Sequence, residues 1–227
     1  MNNKTLTLLA LAALSAGSLS ARGEYDEIAR LQAMNERVQG IRSMADGEHY
    51  TTLENNDIRR YAYATDSEGV SLLPSPAPNL AISDYAFSPD ERMILIASGR
   101  TPIYRHSYTT QYHLLADGRI RPVLQEAEAP RDASFSPDGR KIAYSDRNDL
   151  YVWDIATGKT QRITDDGAWN AVINGTTDWV YEEEFGTTRA YAFSPDGGQL
   201  AFLRFDESEV PLMEMMRFDG KLYNEAY

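Results

Sequence analysis

The sequence predicts an all-β fold assembled from propeller-like blades, and three observations carry that prediction. From residue 38 onward, short runs rich in Tyr, Val, Ile and Thr alternate with Gly, Asp, Asn and Pro, as strands separated by tight turns do. A motif recurs as Phe87-Ser88-Pro89-Asp90, Phe135-Ser136-Pro137-Asp138-Gly139 and Phe193-Ser194-Pro195-Asp196-Gly197, with its phenylalanines 48 and 58 residues apart. A period of about 45 to 50 residues holding about four strands is the arithmetic of a propeller blade, and Pro-Asp-Gly turns the chain between two strands. The second unit contains a whole set, with strands expected at 131–135, 141–145, 149–153 and 160–163 and a turn at 154–158.

Taken in order, residues 1–21 (MNNKTLTLLALAALSAGSLSA) have a short n-region with Lys4, an apolar run from about Leu6 to Leu14 and then small residues. This is the pattern of a secretory signal peptide cleaved after Ser20 or nearby, and the apolar run is short for a bilayer span. Residues 22–37 form a lead-in segment with helix-like spacing at Ile28, Leu31 and Ala33 or Met34. The blades are expected over 38–227. They open with a hairpin, 38–44 and 49–53, around Asp46-Gly47, a pair suited to the positive φ angles of a type I′ turn. About three to four blades fit into this length. Residues 221–227 end in strand-like sequence, which reads as an incomplete propeller.

Composition narrows the function. Of 227 residues, 42% are hydrophobic and 25% charged, which suits a folded chain rather than a disordered one. A net charge of -12 disfavours nucleic acid, whose backbone is bound by clustered Lys and Arg. Without cysteine there is neither a disulfide framework nor a thiol for a lipid anchor, so packing must supply the stability.

The longer second interval of the repeat contains residues 165–190, an insert on the blade scaffold, and inserts are where repeating scaffolds add function. It carries Asp178-Trp179-Val180-Tyr181-Glu182-Glu183-Glu184-Phe185. Three adjacent carboxylates repel one another, and in a cavity they would attract a cation. A solvated acidic turn is the plainer reading of such a run. The oxygen-rich spacing of a calcium loop is missing, and neither a metal nor an organic cofactor is expected. The Phe-Ser-Pro-Asp-Gly motifs are expected to pack and turn and nothing more.

Four segments extend this reading: 40–51 (GIRSMADGEHYT), 105–112 (RHSYTTQY), 178–185 (DWVYEEEF) and 204–211 (RFDESEVP). On these the chain resembles the N-terminal propeller of the bacterial dipeptidyl peptidase IV family, in the prolyl oligopeptidase clan, with the segments in family order across nearly all of the mature chain. The resemblance implies an eight-bladed propeller and a secreted or periplasmic location. It also implies a following α/β-hydrolase domain, peptide substrates with a free N-terminus, a preference for proline or alanine in second position, and a homodimer of the full-length protein. It implies that Glu183 and Glu184 hold the N-terminal ammonium of the peptide and that Arg105 contacts the carbonyl of its second residue. Physical chemistry agrees: a buried ammonium needs charge-assisted acceptors in place of water, and Arg105 would relieve the repulsion between the two acids. Tyr181 and Trp179 are expected to pack and orient the insert beside Asp178, while Glu182 is expected to point to solvent or cap the local turn.

The clan's nucleophile elbow, G-x-S-x-G, does not occur in these residues. The three histidines, His49, His106 and His113, come with no serine and acid in matching roles, so this chain by itself is not expected to hydrolyse peptides. The alternative is a non-catalytic, propeller-like binding or scaffold protein of the periplasm.

Overall fold

The computed structural model describes residues 39–65, 68–75, 79–212, 214–216 and 222–224, with side chains described from Gly40 to Leu212. The chain divides into a leading unit, Met1–Gln39, and a body, Gly40–Tyr227. The expected signal peptide and the lead-in segment lie outside the described residues.

Three four-stranded meanders come first, each with its strands side by side in chain order. They comprise β1 (Gln39–Ser43), β2 (His49–Glu54), β3 (Asp57–Ala62) and β4 (Val70–Ser71); then β5 (Ile82–Phe87), β6 (Ile94–Pro102), β7 (Tyr108–Ala116) and β8 (Arg119–Val123); then β9 (Pro130–Phe135), β10 (Lys141–Asp146), β11 (Asp149–Asp154) and β12 (Thr160–Arg162). After them β13 (Val172–Asn174) pairs with β16 (Arg204–Asp206), β14 (Tyr191–Phe193) with β15 (Leu200–Phe202), and β17 (Glu214–Met216) with β18 (Leu222–Asn224). Among the described residues one α-helix, α1 (Trp179–Phe185), interrupts the strands. The strands of the third meander fall within a residue or so of the positions expected from sequence. The architecture is all-β and propeller-like.

Strand burial explains the composition of the runs. In β6, Ile94 and Ile96 join Ile58, Tyr85 and Leu115 in one core, whereas Leu95 and Ala97 join Tyr112, Leu114, Ile142 and Trp153 in another. In β10, Ile142 and Tyr144 face that second core, and Ala143 faces a third with Leu150 and Tyr191. Alternate side chains point to opposite faces of a strand, so a strand covered on both faces must be apolar throughout. The second and third meanders are therefore inner layers of a stack of sheets. Each fully buried Ile or Leu contributes about 1.5–3 kcal/mol of transfer free energy to that stack.

The repeated motif builds the same turn three times. Ser88, Ser136 and Ser194 each donate their hydroxyl to the aspartate two residues on, at 2.7, 2.6 and 2.5 Å. The same oxygens accept the backbone N–H five residues on, from Met93, Lys141 and Gln199 at 2.9, 2.9 and 2.8 Å. The turn requires a residue at positive φ after the aspartate, supplied by Gly139 (+68°) and Gly197 (+69°). In the first copy Glu91 takes that position at +56°. Its carboxylate accepts the Ala45 N–H at 2.7 Å, a contact glycine could not make, and this offsets the backbone strain.

The type I′ turn expected at Asp46-Gly47 is not formed. Gly47 has φ +71° but Asp46 is not at positive φ, and the loop closes through Met44 N–H to His49 O at 2.9 Å. Asp46 instead accepts from the backbone N–H groups of Glu48 and His49 at 2.9 and 3.0 Å and pairs with the His49 ring at 2.7 Å. Its acceptor capacity is used locally, which favours the longer loop. Two consecutive positive φ angles occur at Asn55-Asn56, Asp117-Gly118 and Arg147-Asn148, between strands that pair directly up to the turn.

Because Ser136 is fully buried and both donates and accepts, Ser136→Ala is expected to destabilise the chain by about 1–3 kcal/mol in urea unfolding. The Ser hydroxyls, with backbone N–H groups, hold Asp90, Asp138 and Asp196 below the ordinary carboxylate range. A carboxyl lower in the folded than in the unfolded chain stabilises fully above the ordinary range and loses that contribution as pH falls through the folded value. The urea midpoint should therefore fall below about pH 4, and less steeply in Asp138→Asn.

Candidate functional site

The acidic cluster of the insert lies on a short helix rather than in a turn. Asp178, in extended conformation at its N-cap, accepts the Tyr181 N–H at 2.8 Å, and Glu182 adds negative charge in the first turn, where the helix dipole favours it. Gly186 ends the helix with φ +64°, donating its N–H to Glu182 O at 2.9 Å. The neck of the insert is tied across itself: Thr177 N–H donates to Thr188 O at 3.0 Å, Thr177 Oγ1 to Thr187 O at 2.7 Å, and Thr176 bridges Arg189. Seven residues of helix are thereby presented on a closed stem.

Helical geometry then separates the three glutamates by about 100° each around the axis, so they cannot share one environment. Glu182 is 1% exposed, Glu183 is largely shielded and Glu184 is exposed. The expectation that Glu182 faces solvent or caps the local turn is not met. Its Oε1 accepts the backbone N–H groups of His106 and Ser107 at 2.7 and 2.8 Å. Burial alone would raise this carboxyl, yet the Ser107 hydroxyl and amide, the His106 amide and the Arg131 charge hold it below the ordinary carboxylate range. Ser107 Oγ meets no partner in full hydrogen-bond geometry, whereas the two amide bonds to Glu182 are short and well formed.

His106 and Ser107 lie in the loop between β6 and β7, and the residue before them is Arg105. Arg105 Nε stands 3.2 Å from Glu183 Oε2, joining that loop to helix α1; its side chain is 71% exposed and that of Glu183 18%. The loop has its own supports, with Ile103 N–H donating to Ser107 O at 2.9 Å and Arg100 donating to His106 O at 3.3 Å while stacking on Tyr108 at 4.1 Å. A guanidinium has five N–H donors in a fixed fork, so one ion pair leaves Arg105 with donors for a carbonyl. The arrangement offers a shielded carboxylate and an exposed cation side by side.

Of the remaining residues singled out in the sequence, Tyr181 is partly exposed and its ring meets Phe185 at 5.4 Å and Phe205 at 5.2 Å. Phe205 belongs to the fourth of the sequence segments singled out above, so packing joins that segment to the helix. Trp179 is half-buried and lines, with Tyr104, Trp169 and Leu212, a cavity of about 310 Å³ whose walls do not include Arg105 or Glu183. Sequence reasoning missed the inward role of Glu182. The sequence did carry a signal for the helix, an N-cap residue at Asp178 and a glycine at 186, and three consecutive acids on a helix cannot all face one way, but it carried none for which of them turns inward.

Residues 88–227 match the family described as dipeptidyl peptidase IV (DPP IV) N-terminal region. The chain belongs to that family. It is 37% identical over 185 residues to dipeptidyl peptidase 4 of Trichophyton rubrum, covering 80% of this chain and 23% of that protein. With dipeptidyl peptidase 4 of Felis catus it shares 40% identity over 138 residues, 59% of this chain and 18% of that one. The crystal structure of Porphyromonas gingivalis dipeptidyl peptidase 4 superposes with a TM-score of 0.74 at 37% identity, over 84% of this chain and 29% of that chain. The chain thus spans about a quarter of the length of the curated relatives it matches. Family membership agrees with the resemblance drawn from the four sequence segments.

Removing the helix cap tests the local construction: Asp178→Ala should cost about 1 kcal/mol in urea unfolding, and Asp178→Asn, which can still accept the Tyr181 N–H, should cost less.

Proposed function

We propose that this chain is the substrate-selecting propeller portion of a secreted or periplasmic serine dipeptidyl peptidase, which releases N-terminal dipeptides of the X-Pro or X-Ala type. In this reading the propeller has eight blades, an α/β-hydrolase domain of the same protein supplies the serine, aspartate and histidine, and this portion does the measuring. Glu183 and Glu184 take the free N-terminal ammonium and Arg105 takes the carbonyl of the second residue. A fixed distance from clamp to nucleophile then selects the bond after that residue.

The observation that carries the reading is the Arg105–Glu183 pair at 3.2 Å, formed between segments far apart in the chain. Its two groups have the charges needed at the two ends of an N-terminal dipeptide. Glu183, largely out of water, can replace the hydration of an ammonium with charge-assisted hydrogen bonds, and Glu184 adds further acceptors on the next residue. Arg105, mostly exposed, can keep its bond to Glu183 and still reach a neutral carbonyl. The net negative charge of the chain favours approach of a cationic N-terminus.

In the full-length peptidase, Glu183→Ala or Glu184→Ala should lower kcat/KM for free-amine peptides by at least about tenfold, about 1.4 kcal/mol of transition-state binding. Peptides acetylated at the N-terminus should be poor substrates of the wild-type enzyme and should lose little more in these variants. Normal cleavage by both variants would show the clamp assignment to be wrong.

A further inference from the structure

We propose that Glu182 is a positioning residue, a buried strut from helix α1 that grips the backbone of the 103–107 loop and so fixes Arg105 beside Glu183. The inference rests on the clamp reading above and adds a residue to it that touches no substrate.

The geometry is specific. One carboxylate oxygen collects two successive backbone N–H groups, His106 at 2.7 Å and Ser107 at 2.8 Å, from a segment about seventy-five residues earlier in the chain. Those amides belong to the two residues that follow Arg105, so the anchored point is one peptide unit from the residue it would orient. Glu183, the partner of Arg105, is the next residue along the helix from Glu182. Of the links between loop and helix, the Glu182 bonds are buried and backbone-directed, whereas the Arg105–Glu183 ion pair has an arginine mostly in water. An ion pair with one partner mostly in water is weakened by solvent screening and does not by itself hold a loop in place. A buried carboxylate with two short N–H bonds is strong and directional, and releasing it would leave a charge out of water without partners.

Stability alone would not call for an acid here. A well-packed apolar side chain of similar volume commonly serves as well as a buried ion, but it cannot accept two N–H bonds or fix the loop's orientation. Each additional restraint on Arg105 reduces the entropy lost when substrate is bound, which is how preorganisation improves binding.

The test is a double-mutant cycle in the full-length peptidase with free-amine dipeptidyl substrates. Glu182→Ala is expected to lower kcat/KM at least about tenfold, and Glu182→Asp, with its charge kept but its reach one methylene shorter, should lose a similar amount. Glu182→Gln, which keeps the accepting Oε1, should stay within about threefold of wild type. In an Arg105→Ala background, Glu182→Ala should cost less than about a further threefold, because a strut that acts through Arg105 has nothing left to position. Losses that multiply in that background would overturn the proposal in favour of a general structural role. Full activity of Glu182→Asp would also overturn it, and that variant decides between the two outcomes if Glu182→Ala does not fold. Glu183→Ala is run alongside: if it loses activity while Glu182→Ala and Glu182→Asp do not, the strut fails and the clamp stands. If Glu183→Ala is fully active, the clamp itself fails and the strut with it.

Discussion

A carboxylate can leave water only where other donors replace the water, and that requirement shapes the connections of this chain. Glu182 satisfies it with the amides of His106 and Ser107. Asp146, buried at the end of β10, satisfies it with the amides of Ala129 at 2.7 Å and Glu128 at 3.3 Å, fastening the approach to β9. Asp149, at the start of β11, takes Thr164 Oγ1, the Gly167 N–H and Arg162, and so draws the segment after β12 onto the third meander. In each case a fixed acid on an element binds the backbone of a connecting segment. The cost of desolvating the acid makes the attachment directional, because any other placement of the loop would leave the charge unpartnered.

These attachments matter because the sheets are joined to one another mainly by apolar packing, which does not specify orientation. Residues 94–98 of β6 and 142–146 of β10 are buried on both faces, and the second and third meanders hold together through side chains such as Leu95, Leu114, Ile142 and Trp153. Such cores fix layer against layer but leave connecting loops to be placed by polar contacts. The Arg105 loop comes from the central hairpin of the second meander and the acidic helix from a stem formed well after the third. The Glu182 bonds and the Arg105–Glu183 pair join them. The candidate site is thus a product of stacking: neither segment contains it alone.

Much of the scaffold could be read from residues. The Phe-Ser-Pro-Asp repeat located three equivalent turns, and the runs after it gave the strands of the third meander, because both-face burial forces continuous apolar sequence while the turn needs particular residues at particular positions. Where one local rule competed with another, the reading failed. Asp46-Gly47 promised a two-residue turn, but the Asp46 side chain found nearer donors and the loop opened out. The helix of the insert went unread because a seven-residue helix shows too few turns for periodicity to register, which left its caps as the local signs.

The sequence by itself determined the all-β repeat and the position of the insert, since these depend on local turn chemistry and alternation. Tertiary structure alone decided which glutamate is buried. Three identical neighbours carry no local information to distinguish them; the difference arises from the advance of about 100° per residue along a helix, set against a loop some seventy-five residues away. A contact at that separation depends on how the sheets stack, and no window of sequence contains it.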